Sequence, residues 1–368
     1  MREVGESQLE DIALGAAILG AGGGGDPYVG KLLAREAIRR FGPVVVVDAG
    51  EVAEDALVIP SAMMGAPTVM VEKLPRGDEV VHAFRQLEKY LGRDAAYTMA
   101  IEIGGINSMI PFCLAARLRL PIVDADLMGR AFPELQMCTP SIYGISAAPM
   151  GIADDKGNAS IIDAVDNLWT ERLARSVTID MGCAALIALY PMSGAQMRLS
   201  AIPASLTAAE ELGRLIRETR DGHGDTIDAI IDRLQGRRLF SGKVVDVDRR
   251  TEKGFAKAVA RMDGVDAYAG SKLELLTQNE HLVAIHDGTV VVSVPDLIIV
   301  LDSETGLPIT TEELRYGYRV TVIGAPSPVP WRTPAGLEIV GPRYFGYDFD
   351  FVPVEDRAAA ATRVRARG

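Results

Sequence analysis

Apolar and polar positions change period along this chain. Over the first 40 residues they recur at helical spacing. Ser7 with Glu10 three positions on makes a capping-box pattern for a helix to about Gly20, and Asp26 with Pro27 opens a second through Phe41. Between the two lies AGGGGDP, with four successive glycines, Gly22, Gly23, Gly24 and Gly25. From residue 43 the pattern becomes short continuous apolar runs at 43–49, 57–64, 96–103 and 121–125, separated by helical stretches at 78–91 and 108–118. Strands that are apolar throughout are covered on both faces, which predicts a layered sheet with largely parallel strands. Residues 147–164 read as two strands around the turn DDKGN, and a helix carrying Trp169 follows. Residues 177–183, VTIDMGC, read as one more strand with a small-residue helix after it.

Farther along, residues 206–234 predict two helices, capped at Thr207 and Asp225. Strand patterns then dominate at 240–248, 272–277, 282–286, 289–294 and 319–323; proline and glycine crowd 324–342, and the tail 358–368 is expected to fray. The expected fold class is therefore α/β: a layered, largely parallel-sheet N-terminal domain with a Gly-rich loop and an Asp cluster over residues 1–173, and a second, β-rich α+β C-terminal domain over 174–368.

Composition narrows what such a molecule does. At 368 residues and 48% hydrophobic content the chain can bury a large core. Its net charge of −12 argues against a nucleic-acid partner, whose phosphates demand a basic face. The N-terminal stretch lacks the basic and long apolar regions of a signal peptide, and no later run approaches a membrane span, so a cytoplasmic location without a membrane partner is expected. Cys113, Cys138 and Cys183 lack CxxC spacing, and four scattered histidines form no metal-binding motif. Cys183, read at a helix N-terminus, is a nucleophile only if it escapes the core, where lone cysteines usually sit.

The candidate chemistry centres on VDADLMGRAFPELQMCTP. An apolar run there ends in Asp124 and Asp126, with Arg130 and Glu134 close behind. Ligands in open α/β sheets bind at the carboxyl ends of strands, where neighbouring carboxyls push each other's pKa values apart. Asp124, Asp126 and Glu134 are the catalytic candidates; the structural alternative is that Asp124 caps the next helix while Asp126 pairs with Arg130. Gly23, Gly24, Gly25 and Asp26 form a candidate anion or substrate loop, or else a tight interhelical turn. Glu102, inside the apolar run YTMAIEIGG, is costly unless paired or functional. Gln278, Asn279 and Glu280 place three polar groups between two strands, and with Glu102 and Arg130 they complete the substrate-binding set. Glu102, Asp124, Asp126 and Glu134 are oxygen ligands that would suit a hard divalent ion; no cofactor is otherwise indicated, and the metal question stays open.

The AGGGGDP loop, DADLMGRAFPELQM, VDRRTEKGF, the QNE triplet, PDLI and the late GPRYFGYDFDFVP together resemble the DUF917 proteins, which include S-methyl thiohydantoin desulfurases and hydantoin-utilisation proteins. The resemblance spans nearly the whole chain. It implies a hydrolase of a small heterocyclic substrate, in which water attacks the amidine-like carbon, methanethiol leaves and a hydantoin remains; a homo-oligomer is expected. Two other readings stand beside it: an ATP- or phosphate-using enzyme of the hydantoinase and oxoprolinase kind, and a non-catalytic partner subunit.

Overall fold

The LVIPSAMMG segment forms a strand buried at every position from Leu57 to Met64, as its unbroken apolar run requires. It sits inside the first of two units in a computed structural model that describes residues 1–65, 77–252 and 255–357. Contacts divide the chain into Met1–Ala16 with Gly24–Glu211, and Ala17–Gly23 with the residues from Leu212 onward.

The first unit is built on ten strands among the described residues: β1 (Arg2–Val4), β2 (Val44–Asp48), β3 (Leu57–Gly65), β4 (Tyr97–Ala100), β5 (Ile122–Asp126), β6 (Met150–Ala153), β7 (Ala159–Ile162), β8 (Ala184–Ala188), β9 (Met192–Ser193) and β10 (Ile202–Pro203). Their order is β1-β2-β5-β4-β3-β8-β6-β7, with β9 paired to β3 and β10 to β5. The central strands β2, β5, β4 and β3 run parallel, and antiparallel strands extend the sheet on both sides. Against β3, Phe84 and Leu87 of the Asp78–Leu91 helix pack with Ile110 and Leu114 of the Ile110–Leu118 helix. Each such side chain contributes about 2–3 kcal/mol through burial. The fold class is the one the apolar pattern predicts.

The second unit is an antiparallel sheet of seven strands among the described residues: β11 (Arg237–Glu252), β12 (Phe255–Gly264), β13 (Lys272–Gln278), β14 (Glu280–His286), β15 (Thr289–Ser293), β16 (Leu297–Asp302) and β17 (Arg319–Ala325). They run in the order β15-β14-β13-β12-β11-β17-β16, around a core that includes Phe240, Val244, Leu275 and Val322. Register shifts at Arg238/Phe240, Val244/Asp246 and Leu276/Thr277 bend the strands, and the sheet curls. His281 on β14 then reaches Ile298 O on β16 through Nδ1 at 2.9 Å. No described helix is long and apolar enough to cross a membrane.

Several local expectations change. The first helix begins at Glu6, ahead of Ser7, and the Gly5 amide donates to Gln8 Oε1 at 3.0 Å, so Gln8 does the work expected of Glu10. Residues 177–180 are not a strand but the last turn of the Asn167–Asp180 helix, which Asp166 caps by accepting from Trp169 N. Thr170, Glu171, Ala174 and Thr178 form its buried face, and that polar composition hid the helical period. Cys183 consequently lies beyond a helix C-terminus, exposed and with φ of 68°, rather than at a helix N-terminus. A boundary at 173/174 would cut this helix, and β8, β9 and β10 belong to the first sheet, so the division falls after Glu211. β12, alternating small and charged residues, carried no strand signal. The expected fraying tail, 358–368, lies outside the described residues.

Candidate active site

β4 and β5 are parallel neighbours, so their carboxyl ends deliver Glu102 and Asp126 to one side of the sheet. Asp126 is fully buried, and its Oδ2 accepts from the amides of Ile103 (2.9 Å), Met128 (3.1 Å) and Gly129 (2.7 Å). This carboxylate thereby ties the end of its own strand to the segment that follows β4. Glu102, also buried, accepts from Asn107 Nδ2 through Oε1 at 2.6 Å. Asn107 is itself clamped to β3, accepting from Met63 N at 2.7 Å and donating to Met63 O at 3.3 Å. Three strand ends thus fix the two carboxyls.

Burial pushes the Glu102 pKa up to about 8, and the neighbouring Asp126 charge adds to the rise; Asn107, the Phe132 amide and the Arg130 guanidinium oppose it. Burial also raises Asp126, but the Gly129, Met128 and Ile103 amides and the Ser205 hydroxyl hold it to about 6. Near pH 7 the pair therefore holds one neutral acid and one carboxylate, the division of labour that acid and base catalysis needs. Arg130 is fully buried, stacks over the Phe132 ring at 4.8 Å and donates from Nε to Ala131 O. Cys138 is buried beside them, its thiol pushed well up by burial and by Glu102 and Asp126. Tyr190, which anchors its hydroxyl on Leu135 O at 2.9 Å, is likewise driven up by burial.

The other residues expected at the site serve different ends. Asp124 Oδ1 accepts from the amides of Leu206 (2.9 Å) and Thr207 (3.1 Å), while Oδ2 takes the Thr207 hydroxyl, so this carboxylate caps the Ser205–Asp221 helix. Glu134 accepts from Gln136 Nε2. Asp26 caps the Pro27–Phe41 helix by accepting from Tyr28 N at 2.8 Å. Gly24 (φ 75°) accepts from Ile106 N at 2.9 Å, and a Cβ there would lie 2.7 Å from Gly104 O. That close approach to the Glu102 segment explains a glycine. Gly25 shares the positive φ, at 72°.

In the second unit, a Cβ on Gly23 would strike Glu280 Cγ at 2.2 Å, and one on Gly22 would strike His281 Cε1 at 2.3 Å. Gln278 ends β13 and Glu280 begins β14, with Asn279 (φ 59°) turning between them and exchanging hydrogen bonds with Ala256. Glu102, Asp126 and Arg130 are therefore brought together within the first unit; Asp124 and Glu134 are engaged with other partners, Asp124 with a helix start and Glu134 with Gln136, and the QNE triplet belongs to the second unit's sheet. Among the described residues no group of three or more His, Cys, Asp or Glu is placed to hold a metal ion.

Sequence reasoning gave Cys138, Tyr190 and Ser205 no part in the site, and Asn107 no more than a place near Glu102 among the polar residues at a strand end. Asn107 had a legible signal, a polar residue five positions after a buried Glu in a glycine-rich turn. Ser205 had none, since only the pairing of β10 with β5, Ile202 opposite Asp126, brings it here.

A family model described as S-Me-THD-like, N-terminal domain, matches residues 7–164, and one described as S-Me-THD-like, C-terminal domain, matches 165–354. An X-ray crystal structure of a protein from Chromobacterium violaceum is similar with a TM-score of 0.78 and 25% identity, covering 96% of this chain and 100% of that one. No curated protein matches.

Proposed function

The chain belongs to the S-Me-THD-like family, and from that premise we propose that it is a hydrolase of a small cyclic amide or amidine, an S-methyl thiohydantoin or a hydantoin-like ring. The observation that carries this reading is the Glu102 and Asp126 pair, two carboxyls at adjacent strand ends whose pKa values stand at about 8 and about 6. In the forward step Asp126 takes a proton from water as its oxygen bonds to the carbon bearing the methylthio group. Glu102 gives its proton to the ring nitrogen, and the electron pair of the C=N bond moves there. The Glu102 carboxylate so formed is favoured by Asn107, the Phe132 amide and Arg130, the groups that pull its pKa down. In the second step the new hydroxyl returns its proton to Glu102 as C=O forms, and the C–S bond breaks. Asp126 then protonates the departing methanethiolate. Both carboxyls end in their starting states.

Asp124 has a supporting part in this scheme, holding a helix start rather than moving protons. The test is a panel of S-methyl thiohydantoins and hydantoins, with ring products followed by mass spectrometry. Wild-type turnover that Asp126→Asn abolishes is expected; no turnover of any ring by the wild-type protein sinks the proposal.

A further inference from the structure

Among the described residues of the first unit, Glu102 Oε2, Asp126 Oδ1 and Ser205 Oγ are buried polar atoms without a hydrogen-bond partner. Their residues are 5%, 0% and 5% exposed. Such atoms are expensive to leave unpaired, and a polar hollow with two to four partners is where a protein keeps a water molecule. The chain spends considerable structure on bringing Ser205 there. β10 pairs with the end of β5, Ile202 opposite Asp126 and Pro203 opposite Ala125, and Ala204 N donates to Asp124 O at 2.8 Å. The Asp124 side chain then accepts from the Leu206 and Thr207 amides and the Thr207 hydroxyl. Gly15 presses on the same helix so closely that a Cβ would lie 1.9 Å from Ala209 O. A residue 79 positions beyond Asp126 is thereby fixed with its hydroxyl toward that carboxyl, near enough to favour the ionised form yet without a completed hydrogen bond.

Resting on the functional reading above, we infer that Ser205 and Asp126 together hold the attacking water, Ser205 Oγ and Asp126 Oδ1 being its two protein contacts, with Ser205 orienting it. Ser205 is therefore a positioning residue for the nucleophile. The water donates one proton to Asp126 Oδ1 and accepts from the Ser205 hydroxyl, which directs a lone pair elsewhere, toward the substrate carbon. As the O–C bond forms, the proton moves along the existing hydrogen bond to Asp126, and Ser205 neither gains nor loses one.

The experiment pairs Ser205→Ala with Ser205→Thr and, as a stability control, Ser193→Ala, which removes the cap of the Gly194–Ser200 helix. Two readouts are taken. Infrared or carbon NMR titration of labelled aspartate, with Asp126→Asn as the assignment control, follows the Asp126 carboxyl without need of substrate. Ser205→Ala is expected to move its midpoint up by about half a pH unit or more, because the nearby hydroxyl dipole that favours the charged form is lost. With a ring substrate, Ser205→Ala is expected to lower kcat about 10- to 100-fold while KM stays within about two-fold. Ser205→Thr restores both, and Ser193→Ala lowers the melting temperature while moving neither. An unchanged midpoint in Ser205→Ala overturns the inference, as does a shifted midpoint with unchanged kcat. A wild-type protein inert to every ring overturns the functional reading instead, a result the substrate-free titration keeps separate.

Discussion

Replacing Glu102 by glutamine tests the electrostatics on which the active-site reading stands. In the folded protein this carboxyl titrates at about 8 against an ordinary 4.5. Each pKa unit corresponds to about 1.4 kcal/mol. Because the folded state holds the proton more tightly than the unfolded chain, stability falls as pH rises between those two values and levels off above the upper one. Glu102 thus adds no penalty below about pH 4.5, about 3 kcal/mol by pH 7 and up to about 5 kcal/mol above pH 8. Asp126 has the same sign, between 3.8 and about 6, but it is present in both proteins and drops out of their difference. The amide keeps an oxygen for Asn107 Nδ2 and mimics the neutral acid in shape, so little else changes. Urea unfolding followed by circular dichroism at pH 5.5, 7 and 8 gives the two stability curves. The variant is expected to gain about 3 kcal/mol on wild type across that range, its own curve being nearly flat above pH 6. Parallel curves, separated by a constant, would refute the raised Glu102 pKa and with it the assignment of this residue as the acid.

Turnover should be bell-shaped in pH, since the base must be ionised and the acid neutral: kcat/KM rises through about pH 6 and falls through about pH 8, and Glu102→Gln loses activity at every pH. Arg130→Met removes a buried positive charge from beside buried carboxyls, and a loss of about 3 kcal/mol in unfolding free energy is expected; a change under about 0.5 kcal/mol contradicts that role. Asp124→Ala deprives the Ser205–Asp221 helix of its cap and should cost about 1–2 kcal/mol, with amide exchange speeding first at Leu206 and Thr207. Gly24→Val forces a side chain onto Gly104 O at a left-handed backbone position, a loss of about 1–3 kcal/mol by thermal melting; full stability would mean the loop yields freely.

The layered α/β half was legible because its strands are buried on both faces and announce themselves as unbroken apolar runs, LVIPSAMMG above all. The Asn167–Asp180 helix hid its end because the face it buries is Thr170, Glu171, Ala174 and Thr178, leaving Leu168, Trp169 and Ile179 exposed, the reverse of the usual pattern. Within the site, Asp126 and Glu102 could be singled out because a carboxylate in or after an apolar run is costly. Asp124 carries the same local signal two residues earlier. Only the distant helix that docks on it separates an anchor from a reacting group, and no window of sequence around Asp124 contains that helix.

β8 lies between β3 and β6, in the interior of the first unit's sheet, yet it is encoded downstream of residue 164, where one family match ends and the next begins. A gene fragment stopped at that junction would therefore yield a sheet with a missing plank and two raw edges, an invitation to aggregate. The same holds for hybrids spliced there from two relatives: Asp126 would come from one parent and the strand-and-helix start that completes its surroundings from the other. Recombination in this lineage should tolerate a crossover beyond Glu211 far better than one at residue 164.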